Sequence, residues 1–392
     1  MGFEFATAGR IIFGAGTACG VAPAAREMGS RALVVTRRSA DAAAWLVKQL
    51  DSVDVPSLSF AVSGEPTIDL IRAGLEQARR ASCDVVVGVG GGSVLDAGKA
   101  IAALLTNPGG PLDYLEIVGH GRPLGRRAAP FIAVPTTAGT GSEVTRNAVL
   151  GSPEHRVKVS MRSALMLPRL AVVDPELTLG LPPAITSSTG LDALTQLIEP
   201  YVSVRANALV DGFCLEGLRR VRRSLRNAFH HGNDIDARTD MAMASLVSGL
   251  SLANAGLGIV HGFAAPIGGM FEAPHGAVCA ALLPQAMAVN IRALRRRAPE
   301  SESLDRYQTV ARVLTDKSDA SPEDGVQWVR ELCRELNITP LGSYGIEEAD
   351  VPMLVEAASR ASSTKGNPIV LNGDELREIL SGSLVDSDSD PC

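Results

Sequence analysis

The sequence has no cysteine pair at zinc-ribbon spacing, no run of about 18 apolar residues and no excess of positive charge, and each shortage excludes something. Its six cysteines stand at 19, 83, 214, 279, 333 and 392 without a CxxC among them. That scatter argues against a zinc ribbon or a disulfide framework and fits a reducing compartment. Without a long apolar run, no membrane span is expected. The opening MGFEFATAGRIIFGAGT lacks a charged segment followed by a continuous apolar one, so no signal peptide is expected and the cytoplasm is the default location. A formal net charge of −6 offers no field for nucleic acid or an anionic membrane. Arginine clusters at 219–226 and 295–297 fall at helical spacing and read as solvated faces.

What is present is a chain of 392 residues, long enough for two domains. In the first half, short apolar runs alternate with helical patterns: RIIFG, then RALVVT (31–36), a helix from about 40 to 50, SLSFAV (57–62), and a helix opening at Pro66. Such alternation predicts a parallel sheet covered on both faces. The informative unit is DVVVGVGGGSVLDAGKAIAALL (84–105), where a β-branched strand runs into Gly90, Gly91, Gly92 and Ser93 and then a helix carrying Asp96 and Lys99. Glycines admit a ligand close to the backbone, and a helix start offers free N–H groups, so a pyrophosphate fits there. The turn is neither a strict GxGxxG nor a Walker A, since no GK[ST] follows. A second strand-to-loop unit, FIAVPTTAGTGSEVT (131–145), presents Thr136, Thr137, Thr140, Ser142 and Thr145, hydroxyls suited to phosphate and ribose. Lys158 adds a cation in a strand-like run, either at the surface or toward the cofactor.

The second half centres on 189–275. Asp192 and Gln196, four residues apart in a helix-period run, share one helix face, which is the spacing of a ligand pair. His261 and His275 follow, the latter just after Pro274, a residue preferred in the first turn of a helix. An oxygen donor and two imidazoles on separate helices could close around one divalent ion.

Taken in order, GGGSVLDAGKA, PTTAGTGSEVT, VVDPELTLGLPP, TGLDALTQLIEPYVS, HGFAAPIGGMFEAPHG and KGNPIVL (365–371) resemble the motifs of the iron-containing, or group III, alcohol dehydrogenases, which share a dehydroquinate synthase-like fold. The resemblance runs from Phe13 to about Leu380. It implies an α/β NAD(P)-binding domain over 1–182, an all-helical metal and substrate domain over 183–380 with the active site in the cleft between them, and a disordered acidic tail over 381–392. It further implies metal ligands at Asp192, Gln196, His261 and His275, the first and last two also being the catalytic residues. Gly91, Gly92, Ser93, Asp96, Thr136, Thr137, Thr140, Thr145 and Lys158 fall in the cofactor motifs. The expected reaction is hydride transfer between a small alcohol or aldehyde and NAD or NADP, with Fe(2+), or Zn(2+), as Lewis acid. A homodimer or larger homo-oligomer is expected.

The sequence departs from the family pattern twice. Position 196, usually His, is Gln, a weaker neutral donor. Position 265, often a proton-relaying His, is Ala, so relay falls to water, the cofactor ribose or another residue. Cys279, one helical turn beyond His275, reads as a buried structural thiol, with replacement of a missing ligand as the alternative. The departures keep open two other readings, a maleylacetate reductase-like, metal-independent reductase and a non-catalytic nucleotide-binding relative. Asp192 with both later histidines favours the metal-dependent enzyme. After the second strand, Arg37 and Arg38 stand where the family often carries an acidic residue, which makes NADP as credible as NAD. The small residues Gly258, Gly262 and Ala265 suggest room near the metal for a short or polar aldehyde.

Overall fold

The computed structural model describes residues 2–37 and 43–385. Arg38 and the stretch 386–392 lie outside the described residues, as does the start of the helix expected from about 40. The chain divides into two compact units, one spanning Phe5–Leu179 and the other Gly180–Cys392 with the first four residues.

In the first unit, strands β1 (Ile11–Phe13), β2 (Ala32–Arg37), β3 (Ser57–Val62), β4 (Val85–Gly90) and β5 (Phe131–Pro135) precede a hairpin of β6 (Asn147–Ser152) and β7 (Val157–Arg162), and β8 (Leu170–Val173) follows. Helices α1 (Val21–Met28), α2 (Ala44–Ser52), α3 (Ile68–Arg80), α4 (Gly92–Thr106) and the single turn α5 (Pro111–Tyr114) connect them. Six strands form one sheet in the order β1-β8-β5-β4-β2-β3, every pair parallel. Alternate residues of β2 explain its double coverage. Leu33 and Val35 pack with Ile71 and Leu75 of α3 and Ile101 and Leu104 of α4, whereas Ala32 and Val34 pack with Val21 and Ala25 of α1 and Leu46 and Leu50 of α2. The chain leaves β2 toward one edge of the sheet and leaves β4 toward the other. Their carboxyl ends therefore flank a topological switch point, where sheets of this kind bind ligands.

The second unit is helical: α6 (Pro183–Val202), α7 (Ala208–His230), α8 (Ile235–Ala255), α9 (Ile259–Met270), α10 (His275–Arg297), α11 (Glu302–Thr315), α12 (Pro322–Glu335), α13 (Val351–Arg360) and α14 (Gly373–Ser381). Helix α6 packs on α7, α8 and α10. It is almost wholly buried from Gly190 to Val202, which is why its sequence reads as apolar around Asp192 and Gln196. The arginines of α7 are more than a solvated face. Arg220 and Arg223 donate to the Asp240 carboxylate of α8 at 2.7–2.9 Å, with Ser224 donating to the same group at 2.5 Å. Helix α10 is long and apolar enough to cross a membrane by length and composition, which the sequence reading did not anticipate, but 78% of its apolar window is buried within the protein. It is the core helix of this unit. Ser381 closes α14 rather than opening a tail.

Candidate metal centre and nucleotide loops

Three helices bring four donors together. Asp192 Oδ1 lies 3.5 Å from His261 Nε2 and 3.8 Å from His275 Nε2. Cys279 Sγ lies 3.8 Å from each of those imidazole nitrogens, and the donor atoms of all four residues fall within 4.8 Å of one another. Asp192 is 1% exposed, yet among the described residues its Oδ1 has no hydrogen-bond partner. A buried carboxylate oxygen left unpaired is costly unless a cation completes it, and imidazole, carboxylate and thiolate are the donor set of a first-row transition metal. The residues fit a divalent ion.

The local sequence explains the convergence. Helix α9 follows directly on Gly258, where a side chain would collide with Glu199 Oε1 at 2.8 Å and Asn367 Oδ1 at 3.0 Å. Those two groups accept from the first free N–H groups of the helix, Glu199 from Val260 at 2.7 Å and Asn367 from Ile259 at 3.2 Å. The other Glu199 oxygen meets His261 Nδ1 at 2.6 Å and turns the opposite ring nitrogen toward Asp192. Glu199 was missed in the sequence, though it stands two helical turns after Asp192 on the same face. At the start of α10, Gly276 lets the backbone approach α6 so closely that a methyl group would sit 2.3 Å from the Ser188 carbonyl oxygen. That approach brings His275 beside Asp192. The space beside Gly258 and Gly262 is not open. Glu199 and Asn367 fill the first, and Thr364 Oγ1 would be 2.2 Å from a side chain at the second. Ala265 is exposed.

Gln196 takes a different place from the one its spacing suggests. Its amide lies one helical turn from Asp192 and helps to hold that carboxyl ionised. Its Oε1 accepts from Ser248 Oγ at 3.1 Å.

The charges of the cluster support one another. Burial opposes ionisation of Asp192, but His261, His275 and the Gln196 amide outweigh it and hold the carboxyl below its usual range. Burial disfavours charge on His261, yet Cys279, Glu199 and Asp192 push its pKa well up. Cys279, chiefly, raises His275. Burial would raise Cys279, and the two imidazoles reverse this and lower it.

In the first unit, Gly90 and Pro135 are partners in adjacent strands, so the loops that follow leave side by side. Thr136 N donates to Gly90 O at 3.0 Å. A methyl group at Gly91 would lie 3.1 Å from Thr137 Oγ1, and one at Gly92 would lie 2.8 Å from Thr140 Cγ2. Helix α4 begins at Gly92 without a side-chain cap among the described residues, so its first N–H groups, those of Gly92 and Ser93, can face an anion. Gly91, Gly92, Ser93, Thr136, Thr137 and Thr140 thus converge. Asp96 and Thr145 serve the framework instead. Asp96 accepts from Ser142 Oγ at 2.6 Å and Val149 N at 2.9 Å, and it pairs with the fully buried Lys99 at 3.0 Å. Lys99 also donates to Thr145 Oγ1 at 2.9 Å and to the carbonyls of Ser142 and Asn147. Lys158 pairs with Glu65 at 3.0 Å. Arg37 is exposed at the end of β2.

Two family models cover most of the chain. Residues 8–175 match the iron-containing alcohol dehydrogenase model, and residues 186–384 match the C-terminal model of the Fe-containing alcohol dehydrogenase family. The chain belongs to the iron-containing alcohol dehydrogenases. It is 36% identical over 325 residues to the 1,3-propanediol dehydrogenase of Citrobacter freundii, covering 81% of each chain. To the lactaldehyde reductase of Escherichia coli it is 33% identical over 359 residues, covering 89% of this chain and 91% of that one. A crystal structure of 1,3-propanediol oxidoreductase superposes with a TM-score of 0.90 at 31% identity over 98% of this chain and 100% of that one. The sulfoacetaldehyde reductase of Bifidobacterium kashiwanohense in complex with NAD+ superposes at 0.86 with 27% identity, over 98% and 99%. This iron-containing alcohol dehydrogenase is an oxidoreductase that acts on an alcohol or aldehyde with a nicotinamide cofactor and a divalent metal.

Proposed function

We propose that the helical domain, 183–380, holds the divalent ion through Asp192, His261 and His275, and that the α/β domain, 1–182, holds NAD(H) or NADP(H) on its two glycine- and threonine-rich loops. The observation that carries this reading is the unpartnered, buried Asp192 Oδ1 facing two imidazole nitrogens. A bound ion supplies Lewis acidity toward the alcohol or carbonyl oxygen. Asp192 contributes the charge that holds it, and Gln196 steadies that carboxylate. Glu199 fixes the tautomer and tilt of His261. The free N–H groups of Gly92 and Ser93 take the cofactor's pyrophosphate, with Thr137 and Thr140 beside them. Ala265 has no proton to give, so the proton passes through water or the cofactor ribose. The chain works as a homodimer or larger homo-oligomer in the cytoplasm, without nucleic-acid or membrane partners.

Elemental analysis of protein purified without chelators, combined with NADH and NADPH oxidation against a panel of aldehydes, tests the reading. About one iron or zinc ion per chain is expected, with turnover lost on chelation and regained on adding the ion. Metal-free protein that still oxidises the cofactor at the full rate would overturn it.

A further inference from the structure

The family pattern supplies a third imidazole at position 196, and this chain has an amide there whose oxygen is already engaged by Ser248. We propose that the missing donor is Cys279: the metal centre is an Asp192–His261–His275–Cys279 site, with the thiolate in the place of the absent histidine and Gln196 as a positioning residue. The proposal rests on the metal-centre reading above and deepens it.

Geometry argues for it first. Metal–ligand bonds of about 2.0–2.3 Å at tetrahedral angles separate the donor atoms by about 3.3–3.8 Å. The two carboxylate–imidazole and two sulfur–imidazole separations lie between 3.5 and 3.8 Å, and all six donor separations lie within 4.8 Å. Cys279 also stands one turn after His275 on α10, so both side chains leave the same helix face. The second observation is independent of the cysteine. Asp192 Oδ1, buried and without a hydrogen-bond partner, points into the same cluster. Sulfur within 4 Å of two imidazoles in an apolar core could be ordinary packing, but packing leaves that oxygen without a hydrogen bond, facing two imidazole nitrogens at 3.5 and 3.8 Å, and an ion among them completes all three.

The chemistry follows from charge. Coordination requires the thiolate and neutral imidazoles, so binding the ion expels to water the protons these groups hold. A thiolate beside the Asp192 carboxylate offsets the charge of a divalent cation from within its own donor set, which the neutral Gln196 amide would not. A soft sulfur donor also turns selectivity toward zinc, cobalt or iron and away from magnesium.

The test uses the full chain, stripped with chelator and titrated with Co(II) alone. The expected result is one cobalt per chain with a near-ultraviolet sulfur-to-cobalt charge-transfer band. Cys279→Ser should lose that band while keeping visible cobalt bands, with metal affinity at least about 10-fold weaker by competitive chelator titration. Gln196→Ala should keep the band. Cobalt bound by the unaltered protein without the charge-transfer band would overturn the proposal and leave the metal centre standing. No cobalt bound at all would overturn both. A band that survives Cys279→Ser would assign the sulfur elsewhere and also overturn it.

Discussion

Some buried residues of this chain carry charge for the frame rather than for the reaction, and Glu143 is the clearest. It is 2% exposed in the loop after β5, and burial pushes its pKa up to about 7, a rise that a backbone hydrogen bond and the nearby Lys99 ammonium only partly offset. In the unfolded chain the same carboxyl ionises at its ordinary value of 4.5. Because the folded value is the higher, the folded state holds the extra proton between these two limits. The contribution of Glu143 to stability is therefore complete below the unfolded value and is lost as pH rises through the folded one. The loss amounts to roughly 3 kcal/mol. Glu143→Gln removes the titrating group, so the variant should gain on the unaltered protein by about that amount between acidic and mildly alkaline buffer. Denaturant unfolding of both proteins across that range measures it. A stability difference that does not change with pH would refute the assignment. Nothing in the sequence marked Glu143. It sits among small and hydroxylated residues that read as a solvated loop, and its burial follows from contacts with a helix some forty positions earlier.

The β4–α4 unit shows what an element-scale reading can and cannot reach. The run VVVGVG is buried at every position, as a central parallel strand must be, so the strand and the glycine turn after it were legible. The partners of that turn were not. Asp96 looks like a cofactor residue by motif, yet both its oxygens are engaged by Ser142, Val149 and Lys99. Motif position cannot tell a residue that touches a ligand from one that holds the loop that does. Gly92 separates the two roles experimentally. Its φ does not demand glycine, so Gly92→Ala acts only through the methyl group, 2.8–2.9 Å from the Thr140 side chain. Strain of about 1–3 kcal/mol in this loop pair should weaken NAD(P)H binding roughly tenfold, read by quenching or enhancement of cofactor fluorescence. Adding Thr140→Ala should recover most of the loss by clearing the contact. If the double variant binds no better than Gly92→Ala, the close packing of the two loops is not what the cofactor site depends on.

At the scale of the whole chain, the candidate metal donors are spread over α6, α9 and α10, with nearly seventy residues between Asp192 and His261. Helical period could pair Asp192 with Gln196, but it could not say which of the two faces an ion. It could not bring Cys279 toward His261 either, because that contact depends on how α9 and α10 lean on α6. Gly258 and Gly276 set those leans, and the sequence shows them only as small residues. The division into two units has a consequence for ligand binding. A ligand that binds only the folded state stabilises it by about 2.7 kcal/mol at a free concentration 100 times its Kd, and the local part of that gain falls on the amides of the elements it touches. Zn(II) added to chelator-treated protein should therefore slow hydrogen exchange in 190–202, 259–264 and 275–283, while NAD(H) should slow it in 90–96 and 135–142. Exchange followed by mass spectrometry with each ligand alone gives the two footprints. Metal protection centred on the glycine and threonine loops, or cofactor protection centred on α6 and α10, would mean that the two units have been given each other's ligands.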